Sequence, residues 1–242
     1  GRPRDAEPLL VEAVEVAEQY LGPTSPAALE AKNQLAIVHL NLRRYPTIGV
    51  DRSVIEKAVE DELLPVLRSA PGFEAYFALW DDAEAGVSVS GFADAEAAHR
   101  STNAARQWLA RHMDFFPVRG DEFAGECFAH EEAPGRALAG DTSLPYLLVR
   151  VLAGVPATQD TRAFVEQRTL PLITRSPGFR AVWMARGDRQ TDKAVVATFF
   201  DSPNEAIASH EAALRLLHEG LPSVSVAQVL HGPAVIAAFR AI

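Results

Sequence analysis

Cysteine is almost missing from this chain of 242 residues. Cys127 stands alone, so no internal disulfide and no multi-cysteine metal site can form, and the residue reads as a small buried hydrophobe in a strand. Basic residues are scarce as well. Lys and Arg number 23 against 32 Asp and Glu, for a formal charge of −9, and a nucleic-acid partner needs clustered cations to displace phosphate counterions. No apolar run approaches the roughly 20 residues of a membrane span; Ala194–Phe200 and Ala234–Phe239 are of strand length. There is no Gly-rich phosphate loop, no G-x-S-x-G, no H-E-x-x-H and no Cys/His set with metal spacing, which argues against nucleotide chemistry and a structural zinc. The expectation is a soluble protein of a reducing cytoplasm with no metal, nucleic-acid or membrane partner. The chain begins at Gly1 rather than Met, which leaves a removed targeting segment open.

What is present is a phrase that occurs twice. Glu62–Phe73 reads ELLPVLRSAPGF and Arg168–Phe179 reads RTLPLITRSPGF, with Leu64/Leu170, Pro65/Pro171, Pro71/Pro177, Gly72/Gly178 and Phe73/Phe179 all separated by 106 residues. A fixed separation of this kind is the signature of an internal duplication. Each phrase closes a helix, and Pro-Gly then forces a turn whose glycine can adopt positive φ before an aromatic enters the next strand.

Hydrophobic periodicity around the phrases predicts the same element order in both copies. The first has strands near Ile37–Arg44, Phe73–Trp80, Gly86–Phe92 and Glu122–His130, with helices at Ser53–Ser69 and Ala95–Met113. The second has strands at Pro145–Leu152, Phe179–Arg186, Lys193–Phe200 and Ser223–Leu230, with helices at Thr161–Thr174 and Pro203–Glu219; His231–Ile242 reads as an extra apolar strand or tail. Strict alternation in Phe73–Trp80 sets Phe73, Ala75, Phe77 and Leu79 on one side and Tyr76 and Trp80 on the other, so both faces need cover. The resulting expectation is α+β: tandem ferredoxin-like βαββαβ repeats at 36–131 and 145–242, joined by a linker at 132–144 and packed face to face as a single-chain dimeric α+β barrel. Residues 1–35 form an amphipathic N-terminal helical extension, through which, or through barrel edges, a homodimer is conceivable. Tyr20–Tyr45 also has some character of a tetratricopeptide unit, but no second 34-residue period follows it.

The Arg-Arg-Tyr strand end, the helix closing on LLPVLRSAPGF, the strand VSVSGF and the helix ADAEAAHRSTNAARQWLARHM together resemble the antibiotic biosynthesis monooxygenase-like domain. The resemblance covers about Ala36–His130 and, more loosely, Pro145–Leu230. It implies a dimeric α+β barrel whose relatives include cofactor-independent oxygenases of polyphenolic or quinone-like molecules, haem-degrading proteins, and proteins of no known activity. The implied ligand is a small planar aromatic, with no cofactor, or with haem as the minor alternative. An Asn and a Trp on the second helix contribute to the pocket of the cofactor-free oxygenases. Here Asn103 and Trp108, five residues apart, are separated by about 140° around a helix, so they do not share a face.

Residues that differ between the copies carry the remaining signal. His210 falls within the stripe Ala206, Ile207, Ala213, Leu214 and Leu217, where the first copy has Thr102; it reads either as a buried, carbonyl-bonded histidine or as a catalytic acid/base or haem ligand tuned by desolvation. Trp108, whose counterpart is Leu216, and Trp183 are candidates for a substrate wall and stacking surface. Arg43 and Arg150 occupy equivalent strand positions, suited to an anionic or phenolic oxygen or to a carboxylate partner at the barrel mouth. Asp81, Asp82 and Asp188 read as solvated hairpin residues.

Overall fold

The two Pro-Gly-Phe turns adopt one geometry. Gly72 and Gly178 sit at φ +79° and +66°. Phe73 N–H donates to the Ala70 carbonyl and Phe179 N–H to that of Ser176, each at 3.2 Å, while the Gly72 and Gly178 carbonyls accept from Ala93 and Asp201. In the computed structural model, which describes residues 37–47, 49–116, 120–136, 138–140, 143–189 and 192–240, these turns lie at the same point of an element order βαββαβ that occurs twice. The first set is β1 (His39–Tyr45), α1 (52–69), β2 (Phe73–Trp80), β3 (Gly86–Phe92), α2 (Ala95–Arg111) and β4 (Asp121–Glu132). The second is β5 (Tyr146–Ala153), α3 (159–174), β6 (Phe179–Gly187), β7 (Ala194–Phe200), α4 (Pro203–Gly220) and β8 (Ser225–Phe239). The expected helical extension at 1–35 lies outside the described residues.

The eight strands close into one antiparallel barrel in the order β1-β3-β2-β8-β5-β7-β6-β4. Two long strands make the closure. β4 pairs with β1 through Asp121–Glu126 and with β6 through Gly125–Glu132, and β8 pairs with β5 through Ser225–Pro233 and with β2 through Ala234–Phe239. The expected division of Ser223–Leu230 from a separate apolar segment at His231–Ile242 is therefore corrected: a single strand runs through to Phe239, and β4 bridges the two sets in the same way. Closure leaves no sheet edge with unpaired backbone groups.

Side chains divide into a barrel interior and two helix-covered outer faces. Leu40, Phe77, Val89, Leu147, Trp183 and Phe199 fill the interior, where Phe77 and Trp183 pack with ring centroids 5.7 Å apart. α1 and α2 cover one face through Ile55, Leu67, Ala98, Ala105 and Trp108, and the other face buries Leu148, Ile173, Val182, Met184 and Phe200. Each fully buried side chain of this size contributes about 1.5–3 kcal/mol. Strict alternation fails at the start of β2 and of β6. The register slips between Phe73 and Ala75 and between Phe179 and Ala181, so both phenylalanines join the helix-covered layer rather than the interior. The extra residues at these bulges, Glu74 and Arg180, are buried polar groups, and Glu74 pairs with Arg240 at 3.0 Å.

The helices begin where short polar side chains cap them. Asp51, Asp94, Thr158 and Ser202 accept from backbone N–H groups of the first turns. α1 and α3 each contain a π-helical turn, Val59–Leu63 and Val165–Thr169, directly before Leu-Pro. Proline has no N–H, and its ring collides with the carbonyl four residues back; a wider turn relieves both problems without ending the helix. Among the described residues no helix is long and apolar enough to cross a membrane.

Candidate functional site

Three regions lie between helices and the outer face of the barrel, two of them concave. The first is a cleft of about 70 Å3 beneath α1 and α2, bounded by Tyr45, Leu63, Trp80, Trp108 and Phe116, with Arg43 at its floor. A water occupies about 30 Å3 in the liquid, so the cleft as packed is the size of two or three waters, and a planar ring requires its walls to part. Trp108 is 3% exposed, and among the described residues its indole N–H has no hydrogen-bond partner. The Trp80 indole N–H donates to Glu56 Oε1 at 2.6 Å, and Glu56 is the one carboxylate bordering the cleft among the described residues. Tyr76 is pushed up to about 12 by burial, so it stays a neutral phenol. Burial likewise holds the Arg43 guanidinium below its ordinary value, with the fields of Tyr45, Glu122 and Tyr76 opposing. Arg43 Nη2 donates to Thr102 Oγ1 at 2.9 Å, and Thr102 in turn donates to the Ala98 carbonyl.

The second region is an open polar groove of about 1130 Å3 on the other side of α2, lined by His39, His99, Asn103, Arg106, Glu122 and Asp188. His39 Nε2 lies 3.1 Å from Asp188 Oδ2. Glu122 accepts from Tyr45 at 3.0 Å and Arg106 at 2.8 Å. Asn103 is exposed in this groove while Trp108 is buried in the cleft, so the helix separates the pair as their spacing requires.

The third region surrounds Arg150. Its Nε–H donates to His210 Nδ1 at 2.8 Å, so Arg150 and His210 repeat across β5 and α4 the pairing that Arg43 and Thr102 make across β1 and α2. Burial, with the Arg150 and His231 charges adding to it, depresses the His210 imidazole to about 4. The ring is neutral at pH 7. Because Nδ1 accepts from Arg150, the tautomer set by that bond carries its proton on Nε2, which then offers a donor and no lone pair. Burial alone lowers Arg150 to about 10.

The five sequence candidates thus fall in three places. Arg43 and Trp108 share the first cleft, and Arg150 and His210 are bonded to one another. Trp183 has no exposed surface and lies inside the barrel, away from all three regions. Ile207, expected in the buried stripe of α4, is 42% exposed; Ala206, Ser209, Ala213 and Leu216 form that stripe instead. Asp81 is not a solvated hairpin residue: it is buried, accepts from Arg44 Nε at 2.6 Å and from the Ala83 and Ala85 N–H groups, and organises the β2–β3 turn. Sequence reasoning passed over Tyr146 and His231, joined at 2.8 Å between Oη and Nδ1, with Asp82 Oδ2 3.4 Å from His231 Nε2. Their proximity depends on the β5–β8 register, which no local pattern reports.

The sequence matches no protein-family model and no curated protein. Solved structures do resemble the fold. A candidate monooxygenase from Fusobacterium nucleatum superposes with a TM-score of 0.66 at 12% identity, covering 84% of this chain and 94% of its own. An anthrone oxidase-like protein gives 0.56 at 15% identity, covering 84% and 93%. A mutant chlorite dismutase from Candidatus Nitrospira defluvii, in complex with cyanide, gives 0.56 at 11%, covering 86% and 95%. At these identities the similarity establishes the dimeric α+β barrel fold and nothing finer.

Proposed function

We propose that the chain is a tandem, single-chain form of the antibiotic biosynthesis monooxygenase-like barrel, with copies at 36–131 and 145–242, that binds a small planar phenolic or quinone-type molecule in the cleft beneath α1 and α2. The observation that carries this reading is the unpaired Trp108 indole N–H, buried in an aromatic cleft with Arg43 at its floor. A buried donor without a partner costs about 1–3 kcal/mol, and a ligand oxygen removes that cost. Arg43 favours the ionised form of a phenol or enol, and Tyr45, Trp80, Trp108 and Phe116 supply apolar walls.

Oxygenation of such a ligand needs no cofactor. Loss of a proton gives a carbanion-like phenolate that reacts with O2, so that a ring CH2 and O2 become C=O and H2O. Glu56 is the group placed to accept the proton once it leaves the Trp80 indole. The neighbours named a candidate monooxygenase and an anthrone oxidase-like protein favour this choice by analogy. The haem alternative fits less well, because the His210 Nε2 proton must be lost and the Arg150 hydrogen bond broken before a lone pair can meet a metal.

Oxygen consumption with anthrone, and binding of an unreactive hydroxyanthraquinone followed by tryptophan fluorescence, test the reading. Trp108→Phe is expected to weaken binding about five- to twentyfold with the fold retained, the loss of one hydrogen bond. Turnover no faster than buffer, with binding intact, leaves a non-catalytic ligand-binding barrel. Binding indifferent to both Trp108→Phe and Arg43→Met removes the cleft from the function altogether.

A further inference from the structure

Arg150 is 4% exposed, yet among the described residues neither Nη1 nor Nη2 has a hydrogen-bond partner. Only its Nε is engaged, and that by a neutral imidazole. Among the described residues no acidic group opposes the effect of burial on Arg150, in contrast to Arg43, which Glu122 supports. A buried guanidinium with no counter-charge is among the costlier arrangements a fold can hold, and an apolar residue of similar volume is cheaper. Buried polar groups without partners are rare enough that each demands a cause.

The surroundings define what would satisfy it. Arg150 pairs directly with Val229 in the β5–β8 register and Leu148 with His231, so Tyr146, Leu148, Arg150, Val229 and His231 all lie on the outer face of the barrel. Val229 is 37% exposed, and Ile207, one turn before His210 on α4, is exposed too. On this face the buried arginine fork is therefore flanked by exposed apolar side chains and by two imidazoles. Two exposed carboxylates stand nearby: Asp82 beside His231, and Glu211, whose charge is felt by His210. A guanidinium fork matches a carboxylate bidentately, exposed apolar side chains favour a hydrocarbon body, and the nearby carboxylates penalise a second negative charge.

We propose that the outer barrel face of β5 and β8 beside α4 is a binding site for a small aromatic monocarboxylate, held through Arg150 Nη1 and Nη2. The site is separate from the cleft holding Trp108, so either reading can fail while the other stands. Calorimetric titration of the full chain with benzoate, and in parallel with inorganic phosphate, is the test. Benzoate is expected to bind, phosphate at least about tenfold more weakly, and Arg150→Met to lose about tenfold or more of the benzoate affinity. Trp108→Phe is expected to leave benzoate binding unchanged. Nitrogen-15 spectra of the unsubstituted protein give a second readout that needs no variant: benzoate should shift the Arg150 Nε resonance and slow exchange of its Nη protons. Absence of benzoate binding at 10-millimolar order, affinity unaltered by Arg150→Met, phosphate binding as tightly as benzoate, or an unmoved Arg150 resonance at saturation would each overturn the proposal.

Discussion

His210 makes a quantitative test of the second outer face. Its proton affinity is depressed to about 4 against an ordinary value of 6.5, first by burial and then by Arg150. The folded chain thus holds this proton more weakly than the unfolded chain does. Between pH 6.5 and about 4 the unfolded state takes up a proton that the folded state refuses, so the stabilising difference is complete above pH 6.5 and drains as pH falls toward 4. Unscreened, the gap corresponds to about 3.4 kcal/mol. The ring is only half buried, and solvent screening reduces the usable figure to about 1–2 kcal/mol. The perturbation is His210→Gln, whose side-chain oxygen can still accept the Arg150 Nε–H but does not titrate. Urea unfolding followed by tryptophan fluorescence, at pH 7.5 and again at pH 4.5, isolates the residue, because other titrating groups cancel between the two proteins. The unsubstituted chain should lose about 1–2 kcal/mol more than the variant across that interval. Identical losses, or an NMR titration of His210 centred at 6 or above, would refute the assignment of burial and Arg150 as the controlling environment.

Two further predictions concern the turns that set the scaffold. Gly72→Ala places a Cβ 2.8 Å from the Ala97 Cβ at φ +79°, whereas Gly49→Ala, at φ +69°, meets nothing within 4 Å. Gly49→Ala should cost about 1–2 kcal/mol of left-handed strain and Gly72→Ala about 1–2 kcal/mol more, measured by denaturant midpoint at constant m-value. Asp81→Ala removes the acceptor of two N–H groups and of Arg44, and should destabilise by about 2–4 kcal/mol; Asp81→Asn, which retains one acceptor oxygen, should recover about half of that.

The elements that sequence reading located best are those with local causes. β2 and β3 begin and end at the residues predicted, because a Pro-Gly turn precedes Phe73 and acidic turn residues separate Trp80 from Gly86. The bulge after Phe73 was hidden, since alternation is a property of regular pairing and Glu74 gives no sign that it will be skipped. The length of β8 was hidden for another reason. Gly232-Pro233 looks like a strand end, yet it falls where β8 leaves β5 and Ala234 begins to pair with β2, so the missing proline N–H sits at the change of partner. Among the site residues, Arg43, Arg150, Trp108 and His210 could be singled out by setting the two similar stretches of sequence side by side. Tyr45, Trp80 and Phe116, which complete the cleft, come from three separate segments that only folding brings together.

The two outer faces share a plan but differ in what they demand. Both place an arginine on the first strand of their set, bonded to the second helix, and in both the guanidinium is stripped of water. On the first face a hydroxyl bond and the field of Glu122 compensate the charge, and the free space lies beside it, under an indole. On the second face the imidazole of His210 takes Nε alone, Leu216 stands where Trp108 does, and the compensation is incomplete. A buried cation whose charge the fold leaves uncompensated is replaceable by a methionine with a gain in stability, whereas removing a compensated one costs stability. Arg150→Met should therefore raise the melting temperature of the ligand-free protein while Arg43→Met lowers it. That opposition of sign separates an arginine kept for a ligand from one that the surrounding structure already satisfies.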